Sequence, residues 1–384
     1  MSEHIVIVSP FYPPHLGGVE QFSQGLARTL IRMGHRATVV TSSEAGEELR
    51  RREDDGVEVV RLPTTPLLGG RFPLVGRRES LATLVPLIES AGISGMLANT
   101  RFFSTTACAL EAAHRVGMRA VVLDHGSSYI GFGIPAVDWA VRAYERGVTR
   151  VVRHYDPDFY GISQMSADWL AHFGIAARGT IHNALDADAF VAGSSGRDFR
   201  AELGIGEQTM LVTFSGRLVA AKGVPHLLTT SSLLKGMNCD VRFAVAGDGP
   251  ERQRLLACDD GRVISLGRLG RADVTALLCQ SDLFFFPSEY PEGMPTSILE
   301  ALACGVPTLA TAVGGVRELI PDEDHGMVFE RVDCLGFAKQ IRWCNEHRDA
   351  LCEMGRRSAE HVREHFSWEG TARLVIEACR VANA

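Results

Sequence analysis

Residues 288–305 read S-E-Y-P-E-G-M-P-T-S-I-L-E-A-L-A-C-G and follow the apolar run L-F-F-F at 283–286. The run predicts a buried strand, the Pro- and Gly-rich segment a loop, and S-I-L-E-A-L-A-C a helix, because its apolar residues recur at helical spacing. The first helical turn, around Pro295, Thr296 and Ser297, leaves several backbone N–H groups without intrahelical partners, and the helix dipole adds roughly half a positive charge there. The stretch therefore predicts a site for an anion or a sugar hydroxyl.

Two carboxylates bracket this predicted site, Glu292 in the loop and Glu300 in the helix, with seven residues between them. Because a helix rises ~1.5 Å per residue, Glu300 cannot reach the group that Glu292 reaches, and we expect them to touch opposite ends of one elongated ligand. An ionised carboxylate offers two acceptor oxygens and no donors, which suits vicinal hydroxyls. A ligand with a sugar at one end and a ribose at the other fits. Solvated glutamates near a helix terminus fit the spacing equally well.

The composition is that of an ordinary globular protein, with 384 residues, 46% hydrophobic and 22% charged. This length suggests two domains that can bury cores without disulfides or metals. The nine cysteines are scattered singly, with no C-x-x-C and no Cys/His cluster at metal spacing, which favours a reducing cytosol and argues against zinc. Neither half has an excess of Lys and Arg over Asp and Glu, so no nucleic-acid partner is expected.

No targeting or membrane-spanning segment is predicted. The chain runs straight into I-V-I-V-S-P at 5–10 without a basic n-region, and it lacks any run of about 18 apolar residues. We therefore expect a cytoplasmic protein, at most peripheral to the inner face of a membrane. The Pro- and Gly-rich segment 63–78, with Arg71, Arg77 and Arg78, is a candidate for acceptor or membrane contact, although a plain solvated loop is the expected structure.

Strand-like and helix-like segments alternate along the chain. The first series runs from Ile5–Ser9 to Phe159–Ile162, and a second begins at Leu211–Phe214 after segment 183–197, which has no periodicity and is expected to be a linker. The alternation predicts an α/β fold of two doubly wound halves, each with a parallel sheet covered on both faces. Ligands bind such sheets at the carboxyl ends of the strands, so two facing halves would make one cleft.

Two cations follow the first strand of the second half, in S-G-R-L-V-A-A-K-G at 215–223. Arg217 offers a planar fork for phosphate oxygens and Lys222 a point charge, so the pair suits a diphosphate leaving group. The chain contains only three lysines, Lys222, Lys235 and Lys339, and the composition of the genome explains that scarcity as well as function does.

In the first half, His125 ends a predicted strand in D-H-G-S-S at 124–128. A neutral imidazole there would hydrogen-bond a sugar hydroxyl or assist proton transfer, and a buried histidine bonded to a backbone carbonyl is the alternative. Gly17 and Gly18 precede a predicted helix, where the missing Cβ would let a phosphate or an acceptor approach the backbone.

The sequence lacks the motifs of several other enzyme classes. G-x-G-x-x-G is absent after the first strand, which excludes the nicotinamide-dehydrogenase fingerprint, and neither G-x-x-x-x-G-K-[ST], G-x-S-x-G nor H-E-x-x-H occurs. Two D-x-D triplets, at 156–158 and 186–188, are the candidates for a metal-bound nucleotide sugar. Their positions before a strand and in the expected linker favour turn and cap roles instead.

Six blocks together resemble the retaining glycosyltransferases of family 4 (glycosyltransferase group 1), and the resemblance covers nearly the whole chain. They are G-G-V-E at 17–20, D-H-G at 124–126, S-G-R-L-x-x-x-K-G at 215–223, A-G-D-G-P at 246–250, P-E-G-M-P-T-S-I-L-E-A-L-A-C-G-V-P at 291–307 and G-G-V-R-E-L-I at 314–320. The resemblance implies the GT-B fold, with two facing Rossmann-like domains and a C-terminal helix that crosses back to the first. It places the acceptor-binding domain at 1–184 plus 366–384 and the nucleotide-sugar-binding domain at 185–365.

The resemblance also implies roles for individual residues. It assigns catalysis to a histidine, a glutamate and two cations: His125 near the donor sugar, Glu292 on the donor hexose, and Arg217 and Lys222 on the diphosphate. It assigns the rest of the donor site to Gly18 at the diphosphate or acceptor, the backbone of Gly293, Met294, Pro295 and Thr296 at sugar and phosphate, Glu300 at the ribose hydroxyls, and the Arg268-Leu269 backbone at the base.

The implied reaction moves a hexose or N-acetylhexosamine from a nucleotide diphosphate sugar to an acceptor hydroxyl by front-face transfer with retention. Cations and backbone N–H dipoles would stabilise the departing diphosphate, so neither a metal nor another cofactor is expected. UDP is favoured over GDP, and the acceptor is a glycan, a glycolipid or a small molecule.

The acceptor is expected in the loops after Gly17 and around 63–78 and 126–135. Tyr129, Phe132 and Trp139 are candidates for stacking on a sugar, with core packing the expected use of at least two of them. A sugar-nucleotide epimerase of the same architecture and a non-catalytic sugar-nucleotide-binding protein are the alternatives.

Overall fold

The computed structural model describes residues 2–15, 17–43, 49–52, 55–67, 70, 72–90, 92–131, 133–258 and 261–384. The chain divides into two compact units. The N-terminal unit runs to Ala184 and also contains Trp368–Ala384, and the C-terminal unit is Leu185–Ser367.

The N-terminal unit alternates strands and helices as the sequence predicts. Its elements are β1 (His4–Val8), α1 (Gly18–Arg32), β2 (Arg36–Ser42), β3 (Arg50–Arg52), β4 (Glu58–Leu62), β5 (Thr64–Leu67), β6 (Phe72–Val75), α2 (Arg77–Ser90), β7 (Gly95–Asn99), α3 (Ser104–Arg115), β8 (Val121–Asp124), α4 (Pro135–His154), β9 (Asp158–Gly161), α5 (Gln164–Leu170) and β10 (Gly179–Thr180). The main sheet has the order β10-β9-β8-β7-β1-β2-β4-β3. Its described ladders are parallel except for the antiparallel β3–β4 pair.

The C-terminal unit repeats the pattern. Its elements are α6 (Ala187–Ala192), α7 (Phe199–Glu202), β11 (Met210–Ser215), α8 (Val224–Gly236), β12 (Val241–Ala246), α9 (Arg252–Leu256), β13 (Val263–Gly267), α10 (Arg271–Leu278), β14 (Leu283–Phe286), α11 (Thr296–Ala303), β15 (Thr308–Thr311), α12 (Val316–Leu319), β16 (Gly326–Phe329), α13 (Cys334–Glu346) and α14 (Arg348–His365). The sheet has the order β13-β12-β11-β14-β15-β16, and its described ladders are parallel.

The last helix, α15 (Trp368–Ala382), packs in the N-terminal unit. The Trp368 ring lies 5.8 Å from that of Phe22 on α1. A Cβ added at Gly25 of α1 would come within 2.2 Å of the Trp368 indole, so glycine lets the two helices approach closely. Two parallel Rossmann-like sheets and a C-terminal helix in the first unit confirm the predicted α/β fold class.

Sheet topology explains where ligands are expected. From β11 the chain first adds β12 and β13 on one side and then β14, β15 and β16 on the other, so the order reverses between β11 and β14. In the N-terminal unit the corresponding reversal lies between β1 and β7. The crevice outside the carboxyl ends of strands at such a reversal is the usual ligand position in open α/β sheets.

Two local predictions are wrong. Segment 63–78 is not a plain loop, because Thr64–Leu67 and Phe72–Val75 pair as an antiparallel hairpin in which Pro66 faces Pro73. A two-stranded ribbon tolerates proline, since each of its strands has an edge that needs no hydrogen bond. The expected linker 183–197 contains the helix Ala187–Ala192. The Asp186 side chain caps this helix by accepting from Ala189 N–H at 3.0 Å, which is the cap role predicted for the second D-x-D triplet.

Candidate functional site

The loops after β11 and β14 lie against each other, because their strands are neighbours in the sheet. Glu289 N–H donates to Ala221 O at 2.8 Å and ties the two loops together. Gly223 has φ +89°, and a Cβ added there would come within 2.1 Å of Pro287 O. Only glycine both adopts this backbone conformation and allows this approach. The loop that contains Arg217 and Lys222 is thereby fixed against the loop that contains Glu292.

Lys222 and Glu292 form an ion pair through Nζ and Oε1. Both side chains are largely buried, with 16% and 12% of their surface exposed. The pair lies 70 residues apart in the sequence, and the sheet topology brings it together. Its position at the carboxyl ends of two central strands combines a positive charge with a carboxylate acceptor.

Tyr290 lies close to both cations, and no role was predicted for it from the sequence. Its ring centroid is 5.2 Å from Lys222 Nζ and 5.7 Å from the guanidinium carbon of Arg217. Cations at this range are attracted to an aromatic face. Tyr290 therefore holds Arg217, which is exposed, near the Lys222–Glu292 pair. An aromatic residue two positions before the loop glutamate is the signal that could have found it.

The backbone at Glu292 and Gly293 is supported by the G-G-V-R-E-L-I block. Gly315 N–H donates to Gly293 O at 2.8 Å. Gly314 has φ +54°, and a Cβ there would come within 2.5 Å of Glu292 O. This block, known from the sequence only through its resemblance, therefore buttresses the loop that presents Glu292.

The helix α11 begins at Thr296, and no side chain caps its first turn. Met294 and Pro295 are buried, whereas Thr296 and Ser297 are half-buried. The positive end of the helix dipole is therefore available beside the Glu292 loop, as the sequence predicts for an anion.

Glu300 lies one turn further along α11 and is half-buried. Burial raises the pKa of Glu300 to about 7, and the nearby positive charge of Arg271 opposes this rise. Arg271 begins α10, directly after the segment with Arg268 and Leu269, so the structure brings that segment near Glu300. Arg268 is exposed, while Leu269 packs against a core that includes Phe199.

His125 follows β8 in the N-terminal unit. Its Nε2 lies 2.8 Å from Asn99 Oδ1, and Asn99 Nδ2 donates to Ser23 Oγ at 3.0 Å. Because the Asn99 oxygen accepts, His125 Nε2 carries the proton and Nδ1 is left as an acceptor. Burial lowers the pKa of His125 to about 3, so the imidazole is neutral at physiological pH. The partner is a side chain and not the backbone carbonyl of the alternative interpretation.

Gly18 is the first residue of α1, and Gly17 precedes it without a side-chain cap. A Cβ added at Gly18 would meet no atom of the described residues within 4 Å. A Cβ at Gly17 would come within 2.3 Å of Glu20 Oε2. Glu20 itself bonds His15 Nδ1 at 2.7 Å, so the G-G-V-E block forms a small polar cluster at the start of α1.

The aromatic candidates in the N-terminal unit separate into different environments. Tyr129 Oη lies within hydrogen-bond distance of His172 Nε2, at 2.8 Å, and accepts from Arg146 Nε at 2.9 Å. Trp139 on α4 is 74% exposed, so it does not serve core packing. Phe132 and Arg71 lie outside the described residues. Arg77 pairs with Glu111, and Arg78 is exposed.

Across the described part of the chain, no helix has the length and apolarity that crossing a bilayer requires. Over the same residues, no three His, Cys, Asp or Glu side chains converge as metal ligands.

Two family models match this chain. "Glycosyltransferase Family 4" matches residues 16–189, and "Glycosyl transferases group 1" matches residues 196–361. The first match covers most of the N-terminal unit and the first five residues of the C-terminal unit, and the second lies within the C-terminal unit.

Similar proteins act on different sugars. The phosphatidylinositol N-acetylglucosaminyltransferase GPI3 subunit of Saccharomyces cerevisiae is 25% identical over 347 residues, which cover 84% of this chain and 71% of the relative. The GDP-mannose-dependent alpha-mannosyltransferase of Corynebacterium glutamicum is 26% identical over 336 residues, which cover 86% of this chain and 77% of the relative. The solved structure of Anabaena Alr3699/HepE in complex with UDP is 19% identical with a TM-score of 0.72, covering 98% of this chain and 99% of that one. This last similarity shows the shared fold.

Proposed function

Because the chain belongs to the family 4 glycosyltransferases (glycosyl transferases group 1), which transfer a sugar from a nucleotide sugar, we propose that it moves a hexose or an N-acetylhexosamine to an acceptor hydroxyl with retention. The observation that carries this proposal is the grouping of Arg217, Lys222 and Glu292 beside the uncapped start of α11. Two cations and a helix N-terminus suit a diphosphate, and a carboxylate suits the hydroxyls of the sugar next to it.

In the proposed reaction the acceptor hydroxyl attacks the anomeric carbon from the face that the nucleotide diphosphate leaves. Negative charge grows on the leaving phosphate oxygen, and preorganised cations and N–H dipoles stabilise it as it forms. Arg217, Lys222 and the start of α11 supply this positive field. Glu292 orients the donor sugar, and Glu300 accepts from the ribose hydroxyls. We propose that these groups suffice without a metal.

We propose UDP as the preferred nucleotide of the donor. The solved HepE structure contains UDP and the corynebacterial relative depends on GDP-mannose, so both nucleotides belong in the test. A thermal-unfolding panel of UDP- and GDP-sugars identifies the donor, since a ligand at 100 times its Kd stabilises the folded state by ~2.7 kcal/mol. One class of nucleotide sugar is expected to raise the Tm.

Arg217→Ala and Lys222→Ala are expected to abolish this shift, and Lys339→Ala, at an exposed position on α13, is the matched control. An undiminished shift in both site variants would remove the assigned phosphate site. Release of nucleotide diphosphate only when an acceptor is present supports transfer. Interconversion of two sugar nucleotides without an acceptor would instead support epimerisation, and donor binding without turnover would support a binding protein.

We propose further that the acceptor is a membrane lipid bound by the N-terminal unit of a cytoplasmic, peripheral enzyme. The hairpin β5–β6 and α4 line a groove of about 420 Å³ with mostly apolar side chains: Leu67, Phe72, Leu74, Ala136, Val137, Ala140, Val141 and Tyr144. On α4 and directly before it, Trp139 and Ile134 are 74% and 56% exposed. Four arginines of α4 are also exposed, at positions 142, 146, 150 and 153. An apolar groove suits hydrocarbon chains, and exposed arginines suit anionic headgroups.

Co-sedimentation with vesicles of phosphatidylglycerol and phosphatidylcholine tests this contact. Binding is expected to weaken in Trp139→Ala and in Arg150→Glu but not in Trp343→Ala, which removes an exposed tryptophan of the C-terminal unit. Equal binding of all variants, or no binding to anionic vesicles, would contradict a lipid surface on α4. A water-soluble sugar acceptor would then be the class to screen.

A further inference from the structure

Cys279 and Cys304 form a pair of neighbouring thiols in the C-terminal unit. Cys279 directly follows α10 and Cys304 directly follows α11, and their Sγ atoms are hydrogen-bonded at 3.6 Å. Cys279 is exposed, whereas Cys304 is half-buried. The sequence predicts no pairing of these cysteines, because they lie 25 residues apart without a local motif.

The two sulfur atoms differ in reactivity. The hydrogen bond with Cys304 lowers the pKa of the Cys279 thiol to about 7. The same hydrogen bond, together with burial and the negative charge of Glu300, raises the pKa of the Cys304 thiol. Because the thiolate is the nucleophile, Cys279 is the exposed, reactive member, and Cys304 is the resolving thiol beside it.

The geometry favours a disulfide. A disulfide has an S–S distance of about 2.05 Å, so the sulfur atoms must approach by roughly 1.5 Å from their present 3.6 Å separation. Both residues lie just beyond helix C-termini, at Cys279 after Leu278 and at Cys304 after Ala303. The approach would therefore move the ends of two packed helices.

We propose that Cys279 and Cys304 are a hydroperoxide-sensitive dithiol whose oxidation to a disulfide weakens donor binding. The Cys279 thiolate attacks one oxygen of hydrogen peroxide, which forms a sulfenic acid and releases hydroxide that becomes water. The Cys304 thiol then attacks the sulfenic sulfur, forms the S–S bond and releases a second water. Two thiols are oxidised by two electrons, and the peroxide is reduced.

The link to binding rests on the proposed function and on the position of Glu300. Glu300 lies one helical turn before Cys304, and its charge acts on that thiol. Arg271, at the other end of the helix that leads to Cys279, acts on the carboxyl of Glu300. A bridge between Cys279 and Cys304 therefore shifts the helix that presents Glu300 relative to the Arg268-Leu269 segment. The position of groups in a site is sensitive to such shifts, since a misplacement of about 1 Å can lower a catalytic rate by about 10²-fold.

The test has one chemical and one functional readout. After hydrogen peroxide treatment, peptide mapping by mass spectrometry is expected to find a 279–304 disulfide that dithiothreitol reverses. Phenylarsine oxide, which requires two adjacent thiols, is expected to label the wild type but neither Cys279→Ser nor Cys304→Ser. Cys352→Ser removes an exposed cysteine on α14 and is the matched control, with labelling unchanged.

Oxidation is expected to lower the affinity for the donor sugar at least threefold in the wild type and in Cys352→Ser, and not in Cys279→Ser. Absence of the 279–304 disulfide overturns the proposal even if the reduced enzyme binds donor normally. A disulfide that leaves donor affinity unchanged overturns the coupling. If no nucleotide sugar binds the reduced protein, the proposed function fails, while the disulfide is still judged by the mapping.

Discussion

The two units share one architecture but place opposite chemistry at the carboxyl ends of their strands. In the C-terminal unit, Arg217, Lys222 and Glu292 lie on loops beside an uncapped helix, which makes a charged site. In the N-terminal unit, the loop after β8 presents His125, an imidazole that burial keeps neutral, bonded to the neutral side chain of Asn99. Sheets of similar topology thus present charged side chains in one unit and a neutral imidazole in the other.

Near His125, the charged side chains of the N-terminal unit are buried in its interior. Arg101 is 1% exposed and bonds Asp124 and Glu145, both fully buried. Glu145 Oε1 also accepts from Ile130 N–H at 3.0 Å, which anchors the loop that follows His125. Asp124 directly precedes His125, so the buried cluster fixes both sides of the histidine. Charged side chains thus lie at the strand ends in the C-terminal unit, whereas near His125 they are buried and hold the segment that presents a neutral group.

The largest effect is expected from Arg101→Ala. The substitution leaves two buried carboxylates without their cation, and breaking a buried pair in this way costs about 3–5 kcal/mol. Urea unfolding is expected to show that loss for Arg101→Ala and a change within about 0.5 kcal/mol for Arg150→Ala, at an exposed position on α4. A loss below about 1 kcal/mol would show that the cluster does not position the loop.

A slightly smaller effect is expected from Lys222→Ala. This substitution is expected to lower kcat and to leave the free energy of unfolding much less changed. Removing one preorganised group that stabilises developing charge typically lowers kcat by about 10²–10³. Initial rates of nucleotide diphosphate release are expected to fall by that factor, while urea unfolding changes far less than in Arg101→Ala. If folding and turnover fell together, the charge would be structural in both units, and the contrast between them would disappear.

The fold and the family followed from the sequence, because alternation and the six motif blocks are local patterns. The matches of both family models confirm the family. The contact between Lys222 and Glu292 was not predicted, since it depends on β11 and β14 being neighbours. The buried cluster was missed, because Arg101, Asp124 and Glu145 lie on three separate elements with no pattern in common. The hairpin at 64–75 was missed because its prolines and glycines read as a loop.

The substitution His125→Asn keeps a polar side chain but removes the imidazole acceptor. If His125 accepts a hydroxyl proton, turnover falls about 10²-fold, the lower end for general acid–base groups, with donor binding retained. Because the pKa of His125 is lowered to about 3, the ratio of wild-type to variant rates is expected to stay constant from pH 6 to 8. A ratio that changes across this range would contradict a permanently neutral imidazole.

The smallest effect, and the sharpest contrast with His125, is expected from Glu300→Gln. Burial raises the pKa of Glu300 to about 7, so its ionised fraction rises from about one tenth at pH 6 to about nine tenths at pH 8. If the ribose hydroxyls require the carboxylate, donor affinity of the wild type increases up to about tenfold over this range. Isothermal titration at each pH is expected to show that increase in the wild type and a flat profile in Glu300→Gln.

Stability of the ligand-free protein should change in the opposite direction. The folded-state pKa of Glu300, about 7, lies above the ordinary value of 4.5, so the folded state holds the proton more tightly than the unfolded state does. The contribution of Glu300 to the free energy of unfolding is therefore fully present below pH 4.5 and is lost as the pH rises through 7. Glu300→Gln is expected to remove this slope together with the affinity slope. Loss of only the stability slope would leave Glu300 as a buried carboxyl that does not touch the donor.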